Sequence, residues 1–179
     1  MKVSVLSMFR DSEAYLEDTL ARLSSLEDAE ASVDFEFFFY ENDSTDATVP
    51  LLEEWLSDRK GLLSSEQLNK PKFSQSTSVD RQIDMTAYRN NMLSMAKPLD
   101  SDYSIILDSD VEFDSSLIRE YLPYFSDEIS MVTPNILQNI KCQMSDGARE
   151  SYYDSFALID RFGNQGMTWA ANPFFNTED

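Results

Sequence analysis

Apolar positions along the chain switch between two periods, and the switching marks out alternating strands and helices. Lys2–Ser7 (KVSVLS) is a short apolar and β-branched run that predicts a buried strand. Asp11 or Ser12 then offers a helix cap, and Leu16, Leu20, Leu23 and Leu26 recur at helical spacing on one face. Val33–Tyr40 (VDFEFFFY) predicts a second strand. Asn42–Thr48 is turn chemistry, with Asp46 placed to cap a helix that carries Leu52, Trp55 and Leu56. Gly61–Leu68 fits a third strand and Lys70–Asp80 a polar, mobile loop. From Arg81 to about Lys97 the positions Ile83, Ala87, Tyr88, Met92 and Met95 follow a helical period that Pro98 ends. Tyr103–Leu107 (YSIIL) predicts a buried strand running straight into Asp108-Ser109-Asp110. Ser116–Phe125 reads as a helix and Ile129–Thr133 as a further strand.

Strands alternating with helices imply an α/β fold, a mostly parallel central sheet flanked by helices. In such sheets ligands sit at the carboxyl ends of the strands. Two of those ends carry dense polar sequence, Glu41–Asp46 and Asp108–Asp110.

Composition narrows the chemistry. With 42% hydrophobic residues the 179-residue chain can bury a real core, and it contains no linker-like stretch, so a single domain 1–179 is expected. A net charge of −19 argues against nucleic-acid binding, which needs a basic face, and reads as a solvated acidic surface. The chain has no His, which excludes a Ser-His-Asp triad, a His-ligated zinc and an imidazole base. Acid–base work therefore falls to carboxylates, Tyr or Lys. Cys142 is alone, so no intrachain disulfide forms. No run approaches the roughly 20 apolar residues of a membrane span, and the N-terminal apolar run is too short for a signal peptide. A cytoplasmic domain is the expectation, and the open-ended NPFFNTED terminus suits a piece of a longer protein.

Three clusters carry candidate chemistry. In an extended backbone residues i and i+2 point the same way, so Asp108 and Asp110 can face one cation. Mg²⁺ and Mn²⁺ take one or two carboxylates plus phosphate oxygens and water. The plainer reading is a strand ending in solvated acids, and Asp100-Ser101-Asp102, which precedes the strand, reads as a mere turn. The second cluster, Tyr40-Glu41-Asn42-Asp43-Ser44-Thr45-Asp46, suits either a well-capped turn or contacts to ring N–H groups and ribose hydroxyls. Glu41 favours the latter on the argument that a turn does not need a carboxylate there. Third, Arg89 lies 19 residues before Asp108 on a helix leading to that strand, where it can make charge-assisted contacts to a diphosphate. Arg81 competes for that role, and a surface ion pair is the plain alternative.

The order of these segments, VSVLSMFRDSEAYLEDTL, FFFYENDSTDAT, TAYRNNMLSMA and YSIILDSDVEF, resembles the GT-A nucleotide-sugar glycosyltransferases over roughly residues 2–115. Glu41 stands where that family commonly has Asp, and Tyr88 where it has Ala. Further on, Tyr153-Asp154 to Asp160 and Gly163 look like a stretch of the cryptococcal capsule mannosyltransferase group, and chlorovirus glycosyltransferase domains are similar in style. The resemblance implies a nucleotide-sugar half over 1–110 and a sugar and acceptor half over 111–179. It implies a UDP- or GDP-sugar donor, a glycan or other hydroxyl acceptor, and Mn²⁺ or Mg²⁺ as cofactor. It places the cation on Asp108 and Asp110, the donor on Glu41, Asp43, Arg89, Asp108 and Ser109, and the catalytic carboxylate at Asp154 or Asp160, with Glu112 third. Many of these enzymes add a C-terminal His ligand; here water or another oxygen would replace it, or the ligand would lie beyond residue 179.

Two other readings compete. IILDSDV also fits the first motif of a haloacid-dehalogenase-type phosphatase with Asp108 as nucleophile, although Lys141 is the only Lys that follows and no convincing acidic pair does. A non-catalytic sugar-nucleotide-binding module needs the same clusters. No Walker A or G-x-G-x-x-G occurs among only four glycines.

Overall fold

A computed structural model of the protein describes residues 1–72, 79–97 and 100–132, together with the backbone of 137–141 and 148–152. The elements run β1 (Lys2–Phe9), α1 (Glu13–Ala29), β2 (Asp34–Asn42), α2 (Thr48–Leu56), β3 (Gly61–Glu66), α3 (Val79–Ala96), β4 (Tyr103–Asp108) and α4 (Leu117–Tyr121). A 3-10 turn, Leu122–Tyr124, follows, and Leu137–Lys141 (β5) pairs antiparallel with Ala148–Tyr152 (β6). The first four strands form one sheet in the order β3-β2-β1-β4, and every neighbouring pair is parallel. The expected α/β architecture with a parallel, helix-flanked sheet is therefore what the chain adopts. By contacts the chain divides into Met1–Pro123, which holds this sheet, and Tyr124–Asp179, which holds the hairpin.

Alternation along the strands sorts side chains onto two faces. Val3, Val5 and Phe9 of β1 and Phe35, Phe37 and Phe39 of β2 pack with Leu16, Leu20, Leu23 and Leu26 of α1, Leu52 of α2 and Ile118 of α4. The opposite face is smaller: Leu6, Phe38 and Tyr40 meet Tyr88 and Met92 of α3. Fully burying such side chains contributes about 1.5–3 kcal/mol each, so the aromatic run Phe37–Tyr40 of β2 anchors both layers. Gly61 opens β3 against this strand because a Cβ there would lie 2.1 Å from the Phe37 carbonyl oxygen.

The structure departs from the periodicity reading in four places. α3 begins at Val79, two residues before the expected start, and buries Tyr88 and Met92 while Ile83 stays 62% exposed. Its inward stripe runs through Met85, Met92 and Met95 instead of Ile83 and Ala87. β4 is not buried on both faces: as the edge of the described sheet it alternates, with Ile106 55% exposed. The helix expected over Ser116–Phe125 shortens to Leu117–Tyr121 because Pro123 lacks a backbone donor. Ile129–Val132 lie in no strand; Ile129 instead exchanges backbone hydrogen bonds with Ser126 in a local turn. Among the described residues no helix is long and apolar enough to cross a membrane.

Candidate functional site

Parallel register brings the polar strand ends to one edge. Met8 pairs with Tyr40 on one side and Asp108 on the other, and Phe9 with Glu41. Glu41 in turn lies beside Ser65, and Asn42 beside Glu66. Asp108 and the start of the β2 turn are therefore two ladder spacings apart, about 10 Å.

The end of β2 is locked from within. Glu41 is fully buried; one carboxylate oxygen accepts the Ser44 N–H at 2.6 Å and the other the Ser65 hydroxyl at 2.6 Å. The argument that a turn does not need this carboxylate fails on this geometry: Glu41 closes the turn and ties it to β3. Asp43, 8% exposed and at φ 57°, accepts the N–H groups of Asn69 at 2.7 Å and Lys70 at 3.1 Å. Its side chain also meets the Asn42 amide at 3.1 Å and the Arg10 guanidinium at 3.9 Å. Burial works to raise its pKa, but the backbone donors of Asn69 and Lys70 outweigh it and hold Asp43 below the usual carboxylate range. Asp46 accepts from the first N–H groups of both neighbouring helices, Thr48 at 3.0 Å and Glu13 at 3.1 Å, while Glu13 returns a bond from the Ala47 N–H at 3.0 Å. Asp46 thus caps α1 as well as α2. Ser12 sits at the N-cap position, yet its hydroxyl makes no capping bond and accepts from Tyr15. Asp11 instead reaches across to the Thr45 N–H at 2.7 Å and to Lys72 at 2.5 Å.

The end of β4 is open. The strand stops at Asp108, and Ser109-Asp110 form a turn in which the Val111 N–H returns to the Asp108 carbonyl at 3.3 Å. Asp110 is therefore not on an extended strand, and the i, i+2 alternation does not govern where it points. Both acids are exposed nonetheless. Arg89 donates to Asp108 at 3.4 Å, each side chain about half exposed, so the expected neighbourhood of Arg89 and Asp108 exists. Ser109 is held by α1 through its hydroxyl and carbonyl. Glu112, the third base candidate, pairs with Arg22 at 3.0 Å. Asp154 and Asp160 lie outside the described residues.

Sequence reasoning missed Arg10, Lys70 and Asp84 and the contact between Tyr40 and Tyr88. Tyr40 and Tyr88 stack at 5.4 Å and 24°, and the Tyr40 hydroxyl donates to Glu66 at 2.5 Å. Lys70 pairs with Asp84 of α3, and Arg10 donates to the Lys70 carbonyl at 2.5 Å. Two buried polar atoms, the Arg10 Nε and the Tyr88 hydroxyl, have no hydrogen-bond partner among the described residues. Burial, then the Asp84 carboxylate, pushes the Tyr88 pKa up, so the phenol stays protonated and is a donor in waiting. The signal was present in Tyr88, the Tyr that replaces a small residue of the family pattern. By contrast, a groove of about 630 Å³ beside α3, lined by Leu93, Lys97, Ser101 and Ser104, lies at the amino end of β4, away from the acids.

The donor set at the β4 end suits a hard divalent ion. Two solvent-facing carboxylates match the one or two that Mg²⁺ or Mn²⁺ usually takes, with phosphate oxygens and water completing the shell. Among the described residues no group of three or more acidic or Cys side chains forms a closed site.

The family profile described as glycosyl transferase family 2 matches residues 4–175. Two solved structures of Staphylococcus aureus TarS, residues 1–349, resemble the chain. One shares 22% identity at a TM-score of 0.47, and the other, solved in complex with UDP, 20% at 0.45. In both cases 69% of this chain aligns and it spans 32% of the other, about a third of that length. No curated protein matches.

Proposed function

The chain belongs to glycosyl transferase family 2, and from that premise we propose that it moves a sugar from a UDP- or GDP-sugar to a hydroxyl of a glycan acceptor with the help of Mn²⁺ or Mg²⁺. Family membership removes the phosphatase reading of IILDSDV. The observation that carries the proposal is the pair of exposed acids, Asp108 and Asp110, at the carboxyl edge of a parallel sheet with Arg89 beside them.

Asp108 and Asp110 would hold the cation, which when bound supplies positive charge to the leaving diphosphate. Arg89, 3.4 Å from Asp108, is placed to exchange that carboxylate for a diphosphate oxygen, a charge-assisted contact of the kind Arg favours. The unpartnered Arg10 Nε and Tyr88 hydroxyl offer two donors to the nucleoside, and the Tyr40–Tyr88 stack gives that part of the site a rigid wall. Asp43 anchors Arg10 from behind. A carboxylate is still needed to take the acceptor proton as the sugar–phosphate bond breaks, and Asp154 or Asp160 is assigned to it by resemblance alone. The test is a melting-temperature panel of UDP-, GDP- and other nucleotide sugars with and without Mn²⁺, followed by slow release of the diphosphate with water as a poor acceptor. Stabilisation by one nucleotide sugar only when Mn²⁺ is present supports the proposal; equal response with and without the metal contradicts it.

A further inference from the structure

Helix α1 carries a second stripe beside its apolar one. Leu16, Leu20, Leu23 and Leu26 face the core, and Tyr15, Thr19 and Arg22 stand one position earlier, rotated by about 100° on the helix. Their spacing of i, i+4, i+7 puts the three side chains in one row. That row runs along the segment that leaves β4. The Tyr15 hydroxyl donates to Ser12 at 3.0 Å and lies 3.3 Å from the Ser109 hydroxyl. Thr19, 9% exposed, donates to the Ser109 carbonyl at 2.8 Å. Its other contact, the Tyr15 carbonyl within the helix, is longer at 3.2 Å, so the single hydroxyl proton is better placed toward Ser109. Arg22 reaches the Phe113 carbonyl at 3.3 Å and the Glu112 carboxylate at 3.0 Å.

We propose that Thr19 and Tyr15 are positioning residues for the acidic turn: by fixing the Ser109 peptide from α1 they aim the Asp108 and Asp110 carboxylates at a common cation. The proposal rests on the reading of those acids as metal ligands. The physical argument is that a turn with solvent on one side has few ways to be rigid. Its own carboxylates make no bonds to the turn's backbone, and β4 ends at Asp108, so the sheet ladder does not extend to Ser109. A polar anchor on the central residue of Asp-Ser-Asp restrains both flanking side chains at once. Arg22 holds the segment one step further along, where a small error in direction matters less.

The experiment is a titration of Mn²⁺, read by loss of the free-ion paramagnetic resonance signal, alone and with UDP or GDP, paired with urea unfolding. Thr19→Val removes the hydroxyl at nearly constant shape and should weaken Mn²⁺ binding about tenfold or more. Thr19→Ser should restore affinity to within about twofold, and Tyr15→Phe should lose about two- to threefold. Ser25→Ala, which removes an exposed hydroxyl bonded within the same helix, is the control and should do nothing. If Thr19→Val does not fold, Tyr15→Phe and Thr19→Ser carry the test. A lower urea midpoint with wild-type Mn²⁺ affinity makes Thr19 a packing residue and overturns the proposal. An Asp108→Asn protein that binds Mn²⁺ like wild type overturns the metal reading instead, and a Thr19→Val defect could not be confused with that outcome.

Discussion

The ends of β2 and β4 are equally rich in acids and use them in opposite ways. At β2, Glu41 and Asp43 are 0% and 8% exposed, and all four carboxylate oxygens accept hydrogen bonds from the protein. At β4, Asp108 and Asp110 face solvent, and the contact that Asp108 makes is with an equally exposed Arg89. The difference lies in how each turn disposes of its backbone. Asp43 takes a left-handed φ of 57°, and the Ser44 N–H that follows it is taken up by the Glu41 carboxylate. The β4 turn closes on itself through Val111 and Asp108, and α1 takes up the Ser109 carbonyl. Its acids have no structural duty. A carboxylate at a strand end is available to a ligand only where the turn's own polar groups are satisfied by something else.

The contrast can be broken most forcefully at Glu41. Glu41→Ala should lower stability by about 2–4 kcal/mol in urea unfolding, because it takes the acceptor from the Ser44 N–H and the Ser65 hydroxyl and leaves a void where a fully buried side chain stood. An unchanged midpoint with lost nucleotide binding would move Glu41 from scaffold to ligand contact. Asp43→Ala should come next, a melting temperature lower by about 3–6 °C, since Ala tolerates the left-handed φ poorly and three donors lose their acceptor. Asp43→Asn, which keeps an acceptor and accepts that φ, should lose less than half as much.

Acid sharpens the comparison further. The Lys72 ammonium, then the Thr45 N–H, lowers the Asp11 pKa from the ordinary 3.8 to about 2. A depressed folded-state pKa means stability that is fully present above the ordinary value and lost as pH falls toward the folded one. The urea midpoint should therefore drop as pH falls from about 4 to about 2, and Asp11→Asn should flatten part of that drop. A drop of undiminished size in the variant would remove Asp11 from the lock. The smallest effect belongs to β4: Asp108→Asn should leave the melting temperature within about 2 °C of wild type, because an exposed ion pair contributes little. A large fall there would erase the distinction between the two ends.

Much of this frame was readable in the sequence. The leucine row of α1 and the aromatic run of β2 carry their periods without interruption, so the elements and the sheet they build follow from pattern alone. α3 was misread in its inward face because Ile83 is apolar yet lies toward the open start of the helix, while Met85 was passed over. YSIIL looks the same whether a strand is central or at an edge; the alternation of burial appears only once the sheet order is known. The duty of Glu41 was hidden for a similar reason. Its partner Ser65 lies 24 residues away, and nothing in YENDSTD reveals which N–H groups point inward. The acids of β4 were singled out as candidate ligands by position, but the helix stripe that contacts their turn was not, because Tyr15, Thr19 and Arg22 are ordinary residues on a helix surface.

Calorimetric titration of UDP and GDP with Mn²⁺ or EDTA, into wild type and Asp110→Asn, tests the central claim most directly. The account predicts that one nucleoside diphosphate binds wild type only with Mn²⁺, and that Asp110→Asn weakens this binding at least about tenfold at an unchanged melting temperature. Binding that survives EDTA and is as tight in Asp110→Asn as in wild type would contradict it.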